Sequence, residues 1–145
     1  MTKTANRYAH PVDLELVTLV VDATTSGSHE GAYKGSVDFA VPLGTTVSAA
    51  GDGVVLRVRD DSNKYGDIPN FGPDVNYITI RHANNELSEY LHLAKDSALV
   101  HVGDRVKQRQ PIAVTGMSGW LFAPHVHFMV YRENSEFQCL DVVFK

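Results

Sequence analysis

Apolar and polar residues alternate along short segments of this chain, and almost no stretch carries helical spacing. The alternation predicts strands over residues 14–21, 36–41, 53–59, 76–82, 87–93, 98–102, 111–115, 126–132 and 139–144. These segments are rich in Val, Ile, Leu, Tyr and Phe and are bounded by turn chemistry such as Gly51-Asp52-Gly53, Asn84-Asn85 and Gly103-Asp104. Closely spaced strands without intervening helices predict an all-β, largely antiparallel two-sheet sandwich or barrel. Three stretches break the pattern. Residues 22–35 are small and polar, 60–75 carry Gly66, Pro69, Gly72 and Pro73, and 115–124 carry Gly116, Gly119, Trp120 and Pro124. Long irregular loops on a β scaffold are where function usually sits.

Alternation also assigns faces. His125 and His127 point one way, while Val126, Phe128 and Val130 point the other. Ser88, Tyr90 and His92 share a face opposite Leu87, Leu91 and Leu93, and Asp38 lies opposite Val37, Phe39 and Val41. A carboxylate in so apolar a strand is expensive to bury unless it is paired or bound to a metal. Each residue also admits a plain structural role. His125 and His127 could be surface residues of a half-buried strand, Asp38 could cap a turn or meet an Arg, and His92 could be a hydrogen-bonded core residue. His29, in Ser26-Gly27-Ser28-His29-Glu30-Gly31, could be a solvated loop residue.

Composition narrows the chemistry. A chain of 145 residues with 43% hydrophobic content is expected to form one domain over residues 1–145, and no repeat, linker or charge block marks a second. Thirteen basic residues against 17 acidic ones give a net charge of -4, so no nucleic-acid partner is expected. Seven histidines stand beside the single Cys139. One thiol makes neither an internal disulfide nor a multi-cysteine zinc knuckle, so any metal chemistry must come from His and carboxylates. The early apolar run from Leu16 to Val21 is too short for a signal-peptide core or a bilayer span, so neither is expected.

Four blocks, in order over roughly residues 26–132, carry a family resemblance. The first runs from Ser28-His29-Glu30-Gly31 through Val37-Asp38-Phe39-Ala40-Val41-Pro42-Leu43-Gly44-Thr45 to Ala49-Ala50-Gly51-Asp52-Gly53. Tyr90-Leu91-His92-Leu93, Val102-Gly103-Asp104-Arg105-Val106 and Pro124-His125-Val126-His127-Phe128 follow. With these the chain resembles the lysostaphin-type, or LytM-like, zinc metallopeptidases that cut peptidoglycan peptides. The resemblance implies one zinc per chain, with His29, Asp38 and His127 as ligands and His92 and His125 as free catalytic histidines. Two His and one carboxylate leave a fourth position open, as catalytic zinc sites do. Which of His125 and His92 handles the proton, and which orients water or steadies an oxyanion, stays open at this point.

The expected function is a zinc-dependent endopeptidase that hydrolyses amide bonds in peptidoglycan cross-bridges or stem peptides. It is expected to work as a monomer in the periplasm or outside the cell, with its groove across one sheet walled by loops 22–35, 60–75 and 115–124. Tyr33, Tyr77 and Trp120 are candidates to line that groove. The alternative is a non-catalytic member of the same fold that binds or activates wall hydrolases. Such members generally lose one or more of the five positions, all of which are filled here. The chain departs from the family pattern in three places. His29 precedes Asp38 by nine positions, with Lys34 where a shorter H-x-x-x-D spacing would put the first histidine. Arg109 stands where a turn glycine is common, and Met129 where an acidic residue often follows His-x-His-Phe. His10, His82 and His101 fall outside the blocks and are expected to be surface or structural residues.

Overall fold

The computed structural model describes residues 2–22, 29 and 31–145. Among these, the strands are β1 (Lys3–Tyr8), β2 (Leu19–Val21), β3 (Val37–Ala40), β4 (Thr46–Ser48), β5 (Gly53–Arg59), β6 (Tyr65–Gly66), β7 (Tyr77–Arg81), β8 (Glu86–Leu91), β9 (Arg105–Val106), β10 (Pro111–Val114), β11 (Gly119–Trp120), β12 (His125–Arg132) and β13 (Asp141–Phe144). Only short 3-10 turns interrupt them, the longest at Pro69–Asp74. One seven-stranded antiparallel sheet runs in the order β2-β3-β12-β8-β7-β5-β9. Beside it stand the antiparallel pair β4–β10 and the parallel pairs β1–β13 and β6–β11. The fold is mostly β, as the alternation predicts. No helix among the described residues is long and apolar enough to cross a membrane.

The inner face of the large sheet supplies Phe39, Val55, Ile78, Ile80, Tyr90, Val126, Phe128 and Val130, and the β4–β10 pair adds Val47, Ile112 and Ala113. All are buried in one core. At about 1.5–3 kcal/mol for each large side chain taken out of water, this burial fixes which face of β12 points inward.

Two predicted strands differ. Over 14–21 only Leu19–Val21 forms a strand. Asp13 accepts a hydrogen bond from Glu15 N at 3.0 Å and starts a 3-10 turn at Leu14–Leu16, whose leucines are exposed. Residues 98–102 form no strand. Leu99 N donates to Ile112 O, but Asp104 Oδ2 accepts from His101 N at 2.8 Å and folds the segment into a turn, leaving Leu99 and Val102 exposed. Conversely, β1 has too few apolar residues to show alternation. It is held by Glu86, fully buried at the start of β8, whose carboxylate accepts from Ala5 N (2.7 Å), Asn6 N (3.1 Å) and Tyr8 Oη (3.0 Å). Three donors offset the cost of burying that carboxylate.

Strand register sets the site. Val21, Asp38, His127, Leu91 and Tyr77 lie side by side across five adjacent strands. Asp38 and His127 therefore share the sheet face opposite Phe39, Val126 and Phe128.

Candidate active site

The cross-strand pair of β3 and β12 brings His127 Nδ1 to 2.8 Å from Asp38 Oδ1. His125, two residues back on the same face, places Nε2 3.7 Å from Asp38 Oδ2. His29 arrives from the segment before the Gly31–Tyr33 turn; it is 1% exposed, with Nε2 3.0 Å from Asp38 Oδ2. One ligand atom each from His29, Asp38 and His127 lies within 4.8 Å of the other two.

His92 reaches the same place by another route. Strict alternation would put it on the core side with Tyr90 and Ser88, and Leu93 on the opposite face. Instead β8 ends at Leu91 in a bulge, where His92 N (3.0 Å) and Leu93 N (3.3 Å) both donate to Asn76 O and His92 adopts a φ of 72°. The extra residue exchanges the two faces. Leu93 enters the core, and the His92 ring turns outward, its centroid 4.5 Å from that of His125 and 6.3 Å from that of His127. Bulges beside active sites commonly re-aim a side chain in this way.

Backbone carbonyls fix three of the four rings. His29 Nδ1 lies 2.7 Å from Ser36 O, His92 Nδ1 2.7 Å from Ser118 O, and His125 Nδ1 2.9 Å from Ala123 O. A carbonyl oxygen needs an N–H opposite it, so each Nδ1 carries the proton and each Nε2 presents a lone pair. At His29 that lone pair faces a carboxylate oxygen at 3.0 Å. Two acceptors so close require a cation between them, either a second proton on the ring or a metal ion. Burial alone would raise Asp38, but contacts with His127 and His29 outweigh it and hold the carboxyl well below its ordinary range. Burial would lower His29, yet Asp38 outweighs that and raises it. An ionised carboxylate between two imidazoles, one with its tautomer set by a carbonyl, suits a divalent cation that takes nitrogen and oxygen ligands. Burial first, and then His125, push His92 down to about 3, so its ring stays neutral.

The remaining expectations fall as follows. Loops 60–75 and 115–124 are tied together by β6–β11, and Ser118 of the second loop holds His92. Residues 23–28 and 30 of the loop 22–35 lie outside the described residues. Tyr33 is exposed with its ring centroid 6.4 Å from that of His127, Tyr77 sits on the same rung of the sheet as His127, and Trp120 is exposed on β11. His10 stacks on Phe144 at 4.4 Å, His82 is buried and hydrogen-bonded, and His101 is exposed. Sequence reasoning did not find Ser36, Ser118 and Ala123, because they act through main-chain carbonyls that leave no residue-type signature. Alternation marks Asn76 only as the first residue of a strand, since its role depends on a bulge that alternation does not register.

This mostly-β fold carries on one sheet face a His–Asp–His donor set that could hold a metal ion. Residues 32–139 match the sequence profile of Peptidase family M23, and the chain belongs to that family. It is 39% identical to the peptidoglycan DD-endopeptidase ShyC of Vibrio cholerae over 97 residues, which are 67% of this chain and 19% of that protein. A zinc-containing peptidase from Vibrio cholerae superposes with a TM-score of 0.66 at 32% identity, over 93% of this chain and 39% of the other. The catalytic domain of the prophage-encoded M23 protein EnpA from Enterococcus faecalis, solved as a mutant, superposes with a TM-score of 0.67 at 25% identity, over 92% and 93% of the two chains. The chain spans about a fifth of the length of curated relatives such as ShyC.

Proposed function

We propose that this chain is a zinc-dependent endopeptidase that hydrolyses amide bonds in peptidoglycan cross-bridges or stem peptides. The observation that carries this reading is the convergence of His29, Asp38 and His127 on one point, with the rings of His92 and His125 beside them. In this reading the residues form one unit, active as a monomer with one zinc, and work on the wall in the periplasm or outside the cell. The name of ShyC and the M23 membership support the substrate class.

His29 Nε2, an Asp38 oxygen and His127 Nδ1 would hold the zinc. Zinc, when bound, polarises the scissile carbonyl and lowers the pKa of its water toward ~7. The two remaining rings divide the proton work by their surroundings. His92 has its N–H committed to Ser118 O and stays neutral, so its Nε2 accepts a hydrogen bond and orients the attacking water. It has no spare N–H for an oxyanion. His125 keeps its side chain 18% exposed with Nε2 near Asp38 Oδ2, so it takes the proton from water and delivers it to the leaving amine. Tyr33, Tyr77 and Trp120 line the approach.

Incubating the protein with isolated sacculi, with and without a chelator, tests the reading against His125→Ala and His127→Ala. The expected outcome is zinc-dependent release of soluble fragments that carry new free amines, abolished in both variants, with metal lost only from His127→Ala. Equal fragment release by wild type and His125→Ala would sink the catalytic assignment.

A further inference from the structure

Outside the five residues of the site, two fully buried polar residues, Asn76 and Ser118, contact His92 through their main-chain carbonyls and hold the adjoining Leu93 O with their side chains. Asn76 engages every polar atom it has. Its carbonyl accepts from His92 N and Leu93 N, and its main-chain N–H donates to Ser118 Oγ at 3.0 Å. Its Nδ2 donates to Ser62 O (2.8 Å) and Leu93 O (3.1 Å), and its Oδ1 accepts from Ser62 N (3.1 Å). Ser118 donates from Oγ to Leu93 O at 2.9 Å, while its carbonyl faces His92 Nδ1 at 2.7 Å. Segments distant in sequence, at 62, 92–93 and 118, are locked around one asparagine with 0% exposure, through its side-chain amide and its main chain together.

The left-handed backbone at His92 is unfavourable by about 1–2 kcal/mol for an L-residue and persists only where its surroundings over-determine it. The competing arrangement is a regular end to β8, with His92 facing the core and Leu93 facing out. We propose that Asn76 is a positioning residue for His92: it holds the bulge that ends β8 and, through Ser118, sets the ring so that Nε2 is presented to the substrate. The proposal rests on the reading of His92 as a group of the active site. Only an amide serves here. Asn76→Asp would set a carboxylate oxygen against the carbonyls of Ser62 and Leu93, where Nδ2 now donates.

The test compares Asn76→Ala and Ser118→Ala with wild type, each also in a His92→Ala background, on a soluble cross-linked peptidoglycan fragment. The expected result is a fall in kcat on the order of 10–100-fold, with KM within about threefold and zinc content unchanged. With His92 replaced by Ala, neither substitution should lower kcat further. An equal loss in both backgrounds would show a merely structural role and overturn the proposal. A second readout needs no activity. In metal-free protein, the ring Nδ1–H of His92 should give a slowly exchanging resonance that is shifted or lost in both variants, while the resonances of His82 stay in place. An unchanged His92 resonance in both variants also overturns it. Should His92→Ala retain full activity, the catalytic reading of His92 fails by itself, and the ring resonance still decides the positioning. Should Asn76→Ala not fold, Ser118→Ala carries both readouts.

Discussion

His82 and His92 are both buried imidazoles held below their ordinary pKa by burial, yet they sit in opposite chemical situations. His82 has both ring nitrogens engaged, Nδ1 at 2.8 Å from Asp52 O and Nε2 at 2.7 Å from Ser88 Oγ, and Ser88 continues the chain to the Tyr90 hydroxyl. His92 engages only Nδ1, through Ser118 O, and its Nε2 has no hydrogen-bond partner among the described residues. Burial therefore does not separate a structural histidine from a chemical one. The lone pair left free does, together with what it faces.

The largest expected effect breaks this pair apart. His92→Ala should lower kcat by about 10²–10⁴-fold with zinc content close to wild type, and should cost less stability than His82→Ala because it strands one partner, Ser118 O, rather than two. His82→Ala should do the reverse. It strands the Asp52 carbonyl and the Ser88 hydroxyl inside the fold and leaves a cavity beside the Tyr8 ring, so a loss of about 2–4 kcal/mol is expected in urea titrations, with kcat unchanged in the folded fraction. If the two phenotypes were exchanged or equal, the distinction drawn from ring nitrogens would collapse.

A smaller effect follows from the protonation of His82. Because burial lowers its folded pKa from 6.5, the unfolded chain binds a proton more readily than the folded one just below that pH. Stability contributed by the neutral ring is complete above about 6.5 and declines as pH falls toward the lower folded value. In metal-free protein, lowering the pH from about 7.5 to about 5.5 should reduce the urea midpoint less in His82→Gln than in wild type. A steeper decline in the variant would assign the acid sensitivity to another group.

The same contrast explains what could be read from the sequence. Asp38, His125 and His127 lie on regular strands, where a period of two fixes the face, and the apolar rows Phe39–Val41 and Val126–Phe128–Val130 determine which face is inward. The large sheet and most of its strands follow from that alternation. His92 was legible as a residue type but not as a direction, because a single-residue bulge reverses the face and is specified by Asn76, Ser62 and Ser118 from other segments. The strands that alternation misses are those whose anchors are polar, as β1 on Glu86, or only a few residues long, as β4, β6, β9 and β11. The apolar residues that form no strand, Leu14 and Leu16 as well as Leu99 and Val102, are overruled by side-chain-capped turns at Asp13 and Asp104.

Arg109 tests whether the left-handed backbone at His92 is kept for its chemistry. Both residues have a φ of 72°, but Arg109 is an exposed turn residue whose N–H donates to Ala49 O at 2.7 Å. Nothing about that turn requires a side chain, so Arg109→Gly removes the steric conflict of the left-handed conformation and keeps the hydrogen bond. The relief is partly offset by the greater freedom of glycine in the unfolded chain, which leaves an expected gain of about 0.5–1 kcal/mol, read as a higher urea midpoint with kcat unchanged. At His92 the corresponding His92→Gly should relieve the same conflict and still lose activity as fully as His92→Ala. The two glycine variants thus separate the conformational cost, common to both positions, from the imidazole that justifies it at only one.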